Sequence, residues 1–237
     1  MTHHRLPLTG QTKGDRLAIK YSQTRLPALH RYQGPIGVSK TSFTKRLAAS
    51  VNYETVLEQP EANPFLEHFY LKRRQAALPT QLFFLFERNR KIQAMRQSDM
   101  FEPVHIADSL LEKDRLFAEI NLDHDEMALY DNVYRHLAID APTPDLVIYL
   151  QAPVSVLMER IALRGIATEQ LIEKAYLAQL VDAYTRFFHY YNSAPLLIVN
   201  AAEIDLVNND ADYDALLACL GTVKRARHYY NPSPSMI

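Results

Sequence analysis

The segment Gly34-Pro35-Ile36-Gly37-Val38-Ser39-Lys40-Thr41-Ser42 constrains this chain more than any other. It departs by one residue from the pattern G-x-x-x-x-G-K-[ST]. In that pattern successive backbone amides turn inward around phosphate oxygens, the lysine reaches the outer phosphates and the hydroxyl residue holds Mg²⁺ at the start of a helix. Such a loop needs a buried parallel strand running into it and a helix running out, which restricts the chain to α/β architectures. Phe43, Leu47, Ala48 and Val51 recur at helical spacing directly after it. Ser39 is the misfit, because it stands where the second glycine belongs and a side chain there costs about 1–3 kcal/mol of backbone strain. The only candidate for the incoming strand, Pro27–Gln33, is short and weakly apolar. The competing interpretation is a helix-initiating loop that happens to contain Lys40-Thr41-Ser42.

Hydrophobic patterning predicts strands at 53–57, 103–107, 145–150 and 195–200, the last two as continuous apolar runs of the kind covered on both faces. Helices are predicted between them: an amphipathic stretch to Tyr70, roughly 79–97, two helices over 110–137 broken near 121–125, then 153–164, 169–191 and 212–220. Strands alternating with helices predict a parallel sheet with right-handed crossovers. One domain over 28–224 is expected, after a polar, basic arm at 1–27 and before a loose tail at 225–237. The arm is poorly ordered or, less simply, a basic patch for an anionic partner.

The net charge of −1 gives no bulk attraction to nucleic acid or membrane, and no apolar run reaches the ~20 residues of a span. Cys219 is the single cysteine, so no internal disulfide forms and a reducing compartment, by default the cytoplasm, is expected. The nine histidines lack metal-ligand spacing, and no zinc site is assigned.

In a parallel α/β sheet ligands bind beyond the carboxyl ends of the strands, so Glu58 and Asp108 are the carboxylates to inspect. Beside a phosphate-binding loop either is a candidate for a base or a Mg²⁺ ligand. The alternative for each is a helix cap or a solvated charge. Arg160 and Arg164, spaced i and i+4, are either cations closing over phosphates or an ordinary basic helix end. Gln81 and Arg88 lie two turns apart on an otherwise apolar helix. A buried glutamine needs partners, and a nucleobase edge would supply them. Asp114-Arg115 reads as a surface pair, and Tyr184–Tyr191 as core or a dimer face.

Taken together these segments resemble the deoxynucleoside kinases, with the bacterial deoxyadenosine/deoxyguanosine branch most similar. The resemblance is carried, in order, by Gly34–Gly37, Glu58–Leu66, Gln81–Arg88, Glu112–Ala118, Pro144–Ala152, Arg160–Gly165 and Pro195–Asn200, and it spans about residues 32 to 220. It implies a P-loop kinase-like three-layer sandwich with a five-stranded parallel sheet, flanking helices and a lid. It also implies a homodimer and ATP- and Mg²⁺-dependent 5′-phosphorylation of a deoxynucleoside in nucleotide salvage, with a purine favoured. By position, Gly34, Gly37, Ser39, Lys40, Thr41, Ser42 and Arg164 resemble the residues around the ATP phosphates, with Thr41 and Asp108 near Mg²⁺. Glu58 looks like the base for the 5′-hydroxyl, with Asp108 and Arg160 completing the catalytic set. Gln81, Arg88 and Asp114 resemble the base-reading residues, and Tyr70 and Glu169 the pair on the sugar 3′-hydroxyl.

The departures lie mostly on the phosphate-donor side. Besides Ser39, Gln33 stands where an acidic residue is usual, and Ile166 takes the place of a second lid arginine. Ser109 follows Asp108 where many relatives carry arginine. An alternative function is therefore a degenerate, kinase-like protein that binds a nucleoside or nucleotide but transfers phosphate weakly. A nucleoside monophosphate kinase would need extra cations for an acceptor phosphate, and none is assigned to that role near Tyr70 and Gln81.

Overall fold

The computed structural model describes residues 29–98, 105–137, 142–224 and 226–232. The expected arm at 1–27 lies outside the described residues, as do residues 233–237 of the expected tail. Six parallel strands form one sheet: β1 (Leu29–Gln33), β2 (Glu54–Val56), β3 (His105–Ala107), β4 (Leu146–Gln151), β5 (Leu196–Asn200) and β6 (Arg227–Tyr230). Their order is β2-β3-β1-β4-β5-β6, so the strand leading into the phosphate-type loop is central.

Strand alternation explains the two covered faces. Gln33 and Tyr149 share a register, as do Tyr32 and Ile148 one step back, so the two pairs point to opposite sides. On one side Tyr32 packs edge-on against Phe43, with ring centroids 5.1 Å apart, and Phe43 meets Tyr213. These rings bring down helices α1 (Lys40–Val51) and α8 (Asp210–Leu220). On the other side Tyr149 stacks on Phe188 at 4.4 Å and on Tyr184 at 6.0 Å. The remaining helices are α2 (Leu66–Leu71), α3 (Arg73–Ser98), α4 (Glu112–Asn121), α5 (His124–Leu137), α6 (Val154–Arg164) and α7 (Lys174–Tyr190). Tyr184 and Phe188 belong to α7, and Tyr184 also meets Phe117 of α4. The result is the expected three-layer α/β arrangement. No helix among the described residues is long and apolar enough to cross a membrane.

Four local differences from the sequence expectations have physical causes. The sheet has six strands rather than five, because Arg227–Tyr230 of the expected loose tail pairs with β5. Arg227 anchors it by donating from Nη2 to the carbonyls of Phe188, His189 and Tyr191 at 3.0, 2.7 and 3.3 Å. A cation at the negative end of α7 is favourable there. Helix α3 starts at Arg73, six residues before Pro79, since the fully covered Ala76 and Ala77 pack its first turns into the core. The stretch expected as one helix over 169–191 is a short 3₁₀ turn at Glu169–Leu171 followed by α7. Finally, β1 is central although polar: His30, Arg31 and Gln33 are all buried. Arg31 is satisfied in part by donating to the Ser109 carbonyl at 2.9 Å, and Tyr32 and His30 approach each other at 3.4 Å. The break between α4 and α5 falls where expected. There Asp123 accepts from the amides of Asp125 and Glu126, and Glu126 accepts from the Asp123 amide at 3.1 Å, a reciprocal cap.

Candidate active site

The loop after β1 is held tightly over the end of β4. A Cβ on Gly34 would sit 2.5 Å from the Leu150 carbonyl oxygen, and one on Gly37 would sit 2.8 Å from that of Leu157. Both glycines adopt positive φ, 154° and 89°, so only glycine fits. Ser39 caps α1 in the left-handed region (φ 69°, ψ 25°) and its side chain caps no amide. The backbone thus takes the conformation that a glycine would take freely, and the serine bears the strain. Lys40 folds back over the loop and donates to the Pro35 carbonyl at 3.2 Å. Burial, reinforced by Lys113, lowers its ammonium to about 8 against the pull of Asp108 and Glu58.

Asp108, just past β3, ties this loop to the neighbouring strand end. Its Oδ2 accepts from the Thr41 hydroxyl at 2.6 Å and its Oδ1 from the Glu58 amide at 2.7 Å. Glu58 follows β2, so the side chain of one strand end fixes the backbone of the next. The Glu58 carboxylate then meets two cations. Arg88 of α3 reaches Oε1 through Nε and Nη2, both at 2.5 Å, and Lys113 of α4 donates to Oε2 at 3.3 Å. Burial alone would raise this carboxyl; Arg88 and Lys113 prevail and hold it at about 2. Arg88 also pairs, through Nη1, with the fully buried Asp114. Burial pushes Asp114 upward and Arg88 opposes it.

These groups face one cavity, a concave space that mixes apolar walls with a few convergent polar groups, as small-ligand sites do. Gln81, Phe84 and Arg88 lie along one face of α3 at i, i+3 and i+7 and all line it. Gln81 is 2% exposed, and its amide has no hydrogen-bond partner among the described residues, which leaves both its donor and its acceptor edges for a ligand. Phe117, Tyr176 and Tyr184 add aromatic walls. Tyr70, Glu169 and Arg164 also line the cavity, and Arg164 holds Glu169 at 2.7 Å. Burial raises both the Tyr70 hydroxyl and the Glu169 carboxyl.

A second cleft lies across the loop, bordered by Gly37, Ser39, Ser42, Leu163, Arg164 and residues 204–208. Gly37, Ser39, Ser42 and Arg164 line both spaces, so the loop forms the wall between them. The structure therefore brings Gly34, Gly37, Ser39, Lys40, Thr41, Ser42, Glu58, Tyr70, Gln81, Arg88, Asp108, Arg164 and Glu169 to one cavity, with Asp114 directly behind Arg88. Arg160 is the exception. It borders only the second cleft, and its Nη2 donates to the carbonyls of Ala201, Ala202 and Ile204 at 2.8, 3.4 and 3.3 Å. Its observed work is to hold the chain after β5.

Sequence reasoning missed Lys113, Phe84, Phe117 and Tyr176. Phe84 was recoverable from its spacing between Gln81 and Arg88. Lys113 sits in the charged run Glu112-Lys113-Asp114-Arg115, which looks like a solvated face, and nothing in that run signals that its ammonium is buried.

Comparison with known proteins follows the same boundaries. A family model described as deoxynucleoside kinase matches residues 32–223. The chain is 31% identical over 194 residues to a deoxyguanosine kinase of Bacillus subtilis, covering 78% of this chain and 92% of that protein. It is 29% identical to a deoxyadenosine kinase of Lactobacillus acidophilus, covering 74% of this chain and 86% of that one. Among solved structures, deoxyadenosine kinase of M. mycoides with bound dCTP superposes with a TM-score of 0.71 at 22% identity, covering 82% of this chain and 99% of that chain. The same enzyme with bound dATP gives 0.70 at 24% identity, covering 81% and 99%.

Proposed function

From the premise that this chain belongs to the deoxynucleoside kinase family, we propose that it transfers the γ-phosphoryl group of ATP to the 5′-hydroxyl of a deoxynucleoside, deoxyguanosine or deoxyadenosine for preference. The observation that carries this is the Asp108 bridge, which joins the lysine-bearing phosphate loop to the Glu58 carboxylate within one cavity. Phosphoryl transfer needs a cradle, cations and a positioned acceptor, and little covalent help from the protein.

In this proposal the amides of the loop from Gly34 to Ser42, with Lys40, hold the triphosphate, and Arg164 closes on it after leaving Glu169. Gln81 pairs with the base between Phe84 and Phe117. Tyr70 and Glu169 receive the 3′-hydroxyl. Glu58, ionised at neutral pH, orients the 5′-hydroxyl and accepts its proton as the new bond to phosphorus forms. Arg88 and Asp114 fix the rotamer of Glu58 and the edge of the base.

Thr41 and Asp108 present a hydroxyl and a carboxylate beside Lys40, an oxygen donor set that suits Mg²⁺. Mg²⁺ is commonly held by one or two protein oxygens together with waters and a nucleotide's phosphates. Bound there, Mg²⁺ would neutralise charge developing on the phosphate oxygens. A homodimer through helices is part of the proposal, supported by exposed Phe86 on α3 and Leu129 on α5, as are a cytoplasmic location and a role in salvage.

A second possibility, weak transfer with binding retained, is favoured by the strained Ser39 and by Ile166 at the place of a lid cation. Turnover of deoxyguanosine, deoxyadenosine and deoxycytidine with Mg-ATP, for wild type and Lys40→Ala, separates the two. Measurable wild-type turnover that is lost in Lys40→Ala supports the kinase. Binding without turnover supports the degenerate form, and equal rates in both proteins would remove the cradle assignment.

A further inference from the structure

Lys113 is an expensive residue where it stands. It lies in the first turn of α4, where the positive end of the helix disfavours a cation. It is 2% exposed, and a buried ammonium needs compensation. Arg88 faces the same carboxylate and repels it. What Lys113 receives in return is modest. Its carboxylate contact, to Glu58 Oε2, is 3.3 Å long, against the 2.7–2.9 Å of a strong charge-assisted bond. Of its three donors only this one is used among the described residues.

The two arginines of the cavity are better placed. Arg88 has two carboxylates and Arg164 holds Glu169 at 2.7 Å, while Lys40 rests on its own loop. Lys113 faces Glu58, Asp108 and Lys40 from the opposite helix, and Phe117 lies 6.0 Å from its ammonium. It is a loosely held cation lining the space between the proposed base and the phosphate loop.

We propose that Lys113 is a second phosphate-directed cation of this site: its ammonium leaves Glu58 for the oxygens of the transferring phosphoryl group and thereby frees Glu58 Oε2 for the 5′-hydroxyl. This deepens the reaction proposed above and rests on it. The O5′–H proton passes to Glu58 Oε2, the O5′–Pγ bond forms, and the bond from Pγ to the β-phosphate oxygen breaks with its electron pair kept by the leaving diphosphate. Arrival of the donor phosphate and exposure of the base become one event. The same cation then contacts the new monophosphate, which the nucleoside cannot engage.

The test compares Lys113→Met and Lys113→Arg in the full chain. Steady-state rates are measured with deoxyguanosine and Mg-ATP, and calorimetric affinities for deoxyguanosine and for dGMP. In Lys113→Met, kcat should fall about 100-fold. KM for deoxyguanosine should stay within about threefold, and dGMP should bind about tenfold more weakly while deoxyguanosine binding is unchanged. Lys113→Arg, which keeps a cation, should retain most of the dGMP affinity, and butylammonium should restore part of the rate lost in Lys113→Ala. Lys113→Gln supplies the same comparison if the methionine variant does not fold. A rate within about threefold of wild type overturns the proposal, as does an equal loss of deoxyguanosine and dGMP binding, which would mark Lys113 as structural support. If wild type itself shows no turnover, the kinase assignment fails, and the ratio of dGMP to deoxyguanosine affinity still decides whether Lys113 is directed at phosphate.

Discussion

The two halves of the cavity are built on different terms. On the proposed acceptor half, the half-buried Glu58 and the buried Arg88 and Asp114 form a chain of charges in which each group has a close partner, supported by three separate elements. On the proposed donor half, Lys40 bonds only to its own loop among the described residues, Ser39 is held in a left-handed conformation, and the strand below carries His30 and Gln33 in the core. The acceptor half is preorganised before any ligand arrives. In the proposed reaction the donor half has groups that the nucleotide must pull into place, which costs affinity without requiring any loss of chemistry. Of the departures noted in the sequence, Ser39 and Gln33 lie in this looser half.

The contrast is sharpest in the response to mutation. Removing the proposed base with Glu58→Gln should lower kcat by about 10²–10⁴ and change nucleoside affinity little; isotopic single-turnover and binding measurements read the two separately, and equal losses in both would argue against its role. Arg88→Met strands the fully buried Asp114 carboxylate and should destabilise the protein by about 3–5 kcal/mol in urea denaturation. Lys40→Met on the donor half should cost less than about 1 kcal/mol by the same method. If the two cost the same, the halves are not built differently.

A third measurement concerns the strand beneath the loop. Burial, opposed by Asp145, lowers the His30 imidazole from 6.5 to about 4, so the folded chain keeps it neutral where the unfolded chain would bind a proton. Its contribution is therefore complete above pH 6.5 and is lost as pH falls from 6.5 toward 4, by at most about 3 kcal/mol. His30→Leu should flatten unfolding free energy over that interval, and an unchanged pH profile would show that the histidine is solvated. The smallest effect is expected from Ser39→Gly, which releases the left-handed strain and should add about 1 kcal/mol of stability while tightening ATP binding. A loss of ATP affinity instead would mean that the serine hydroxyl contributes to the grip.

The sequence made some parts of this molecule plain and hid others for identifiable reasons. Strands β4 and β5 announce themselves because both of their faces are covered, so every residue along them is apolar or nearly so. Strand β1 does not, since Arg31 finds its acceptor on Ser109, 78 positions away. Strand β6 is equally silent: Arg227 looks like any surface charge until the end of α7 is in place to receive it. In the cavity, Glu58, Gln81 and Arg88 stand out because a polar residue interrupts an apolar pattern or ends a strand. Lys113 is hidden among other charges, and Arg160 carries a chemistry, five donors on a plane, that serves backbone carbonyls as well as it serves phosphates.

The carboxylate of Asp108 has one oxygen on Thr41 and the other on the Glu58 amide. In the proposed reaction it is a ruler between the loop that holds the departing phosphoryl group and the carboxylate that receives the acceptor hydroxyl. Because one carboxylate makes both bonds, a change at Asp108 would release the phosphate loop and the Glu58 backbone from each other at once.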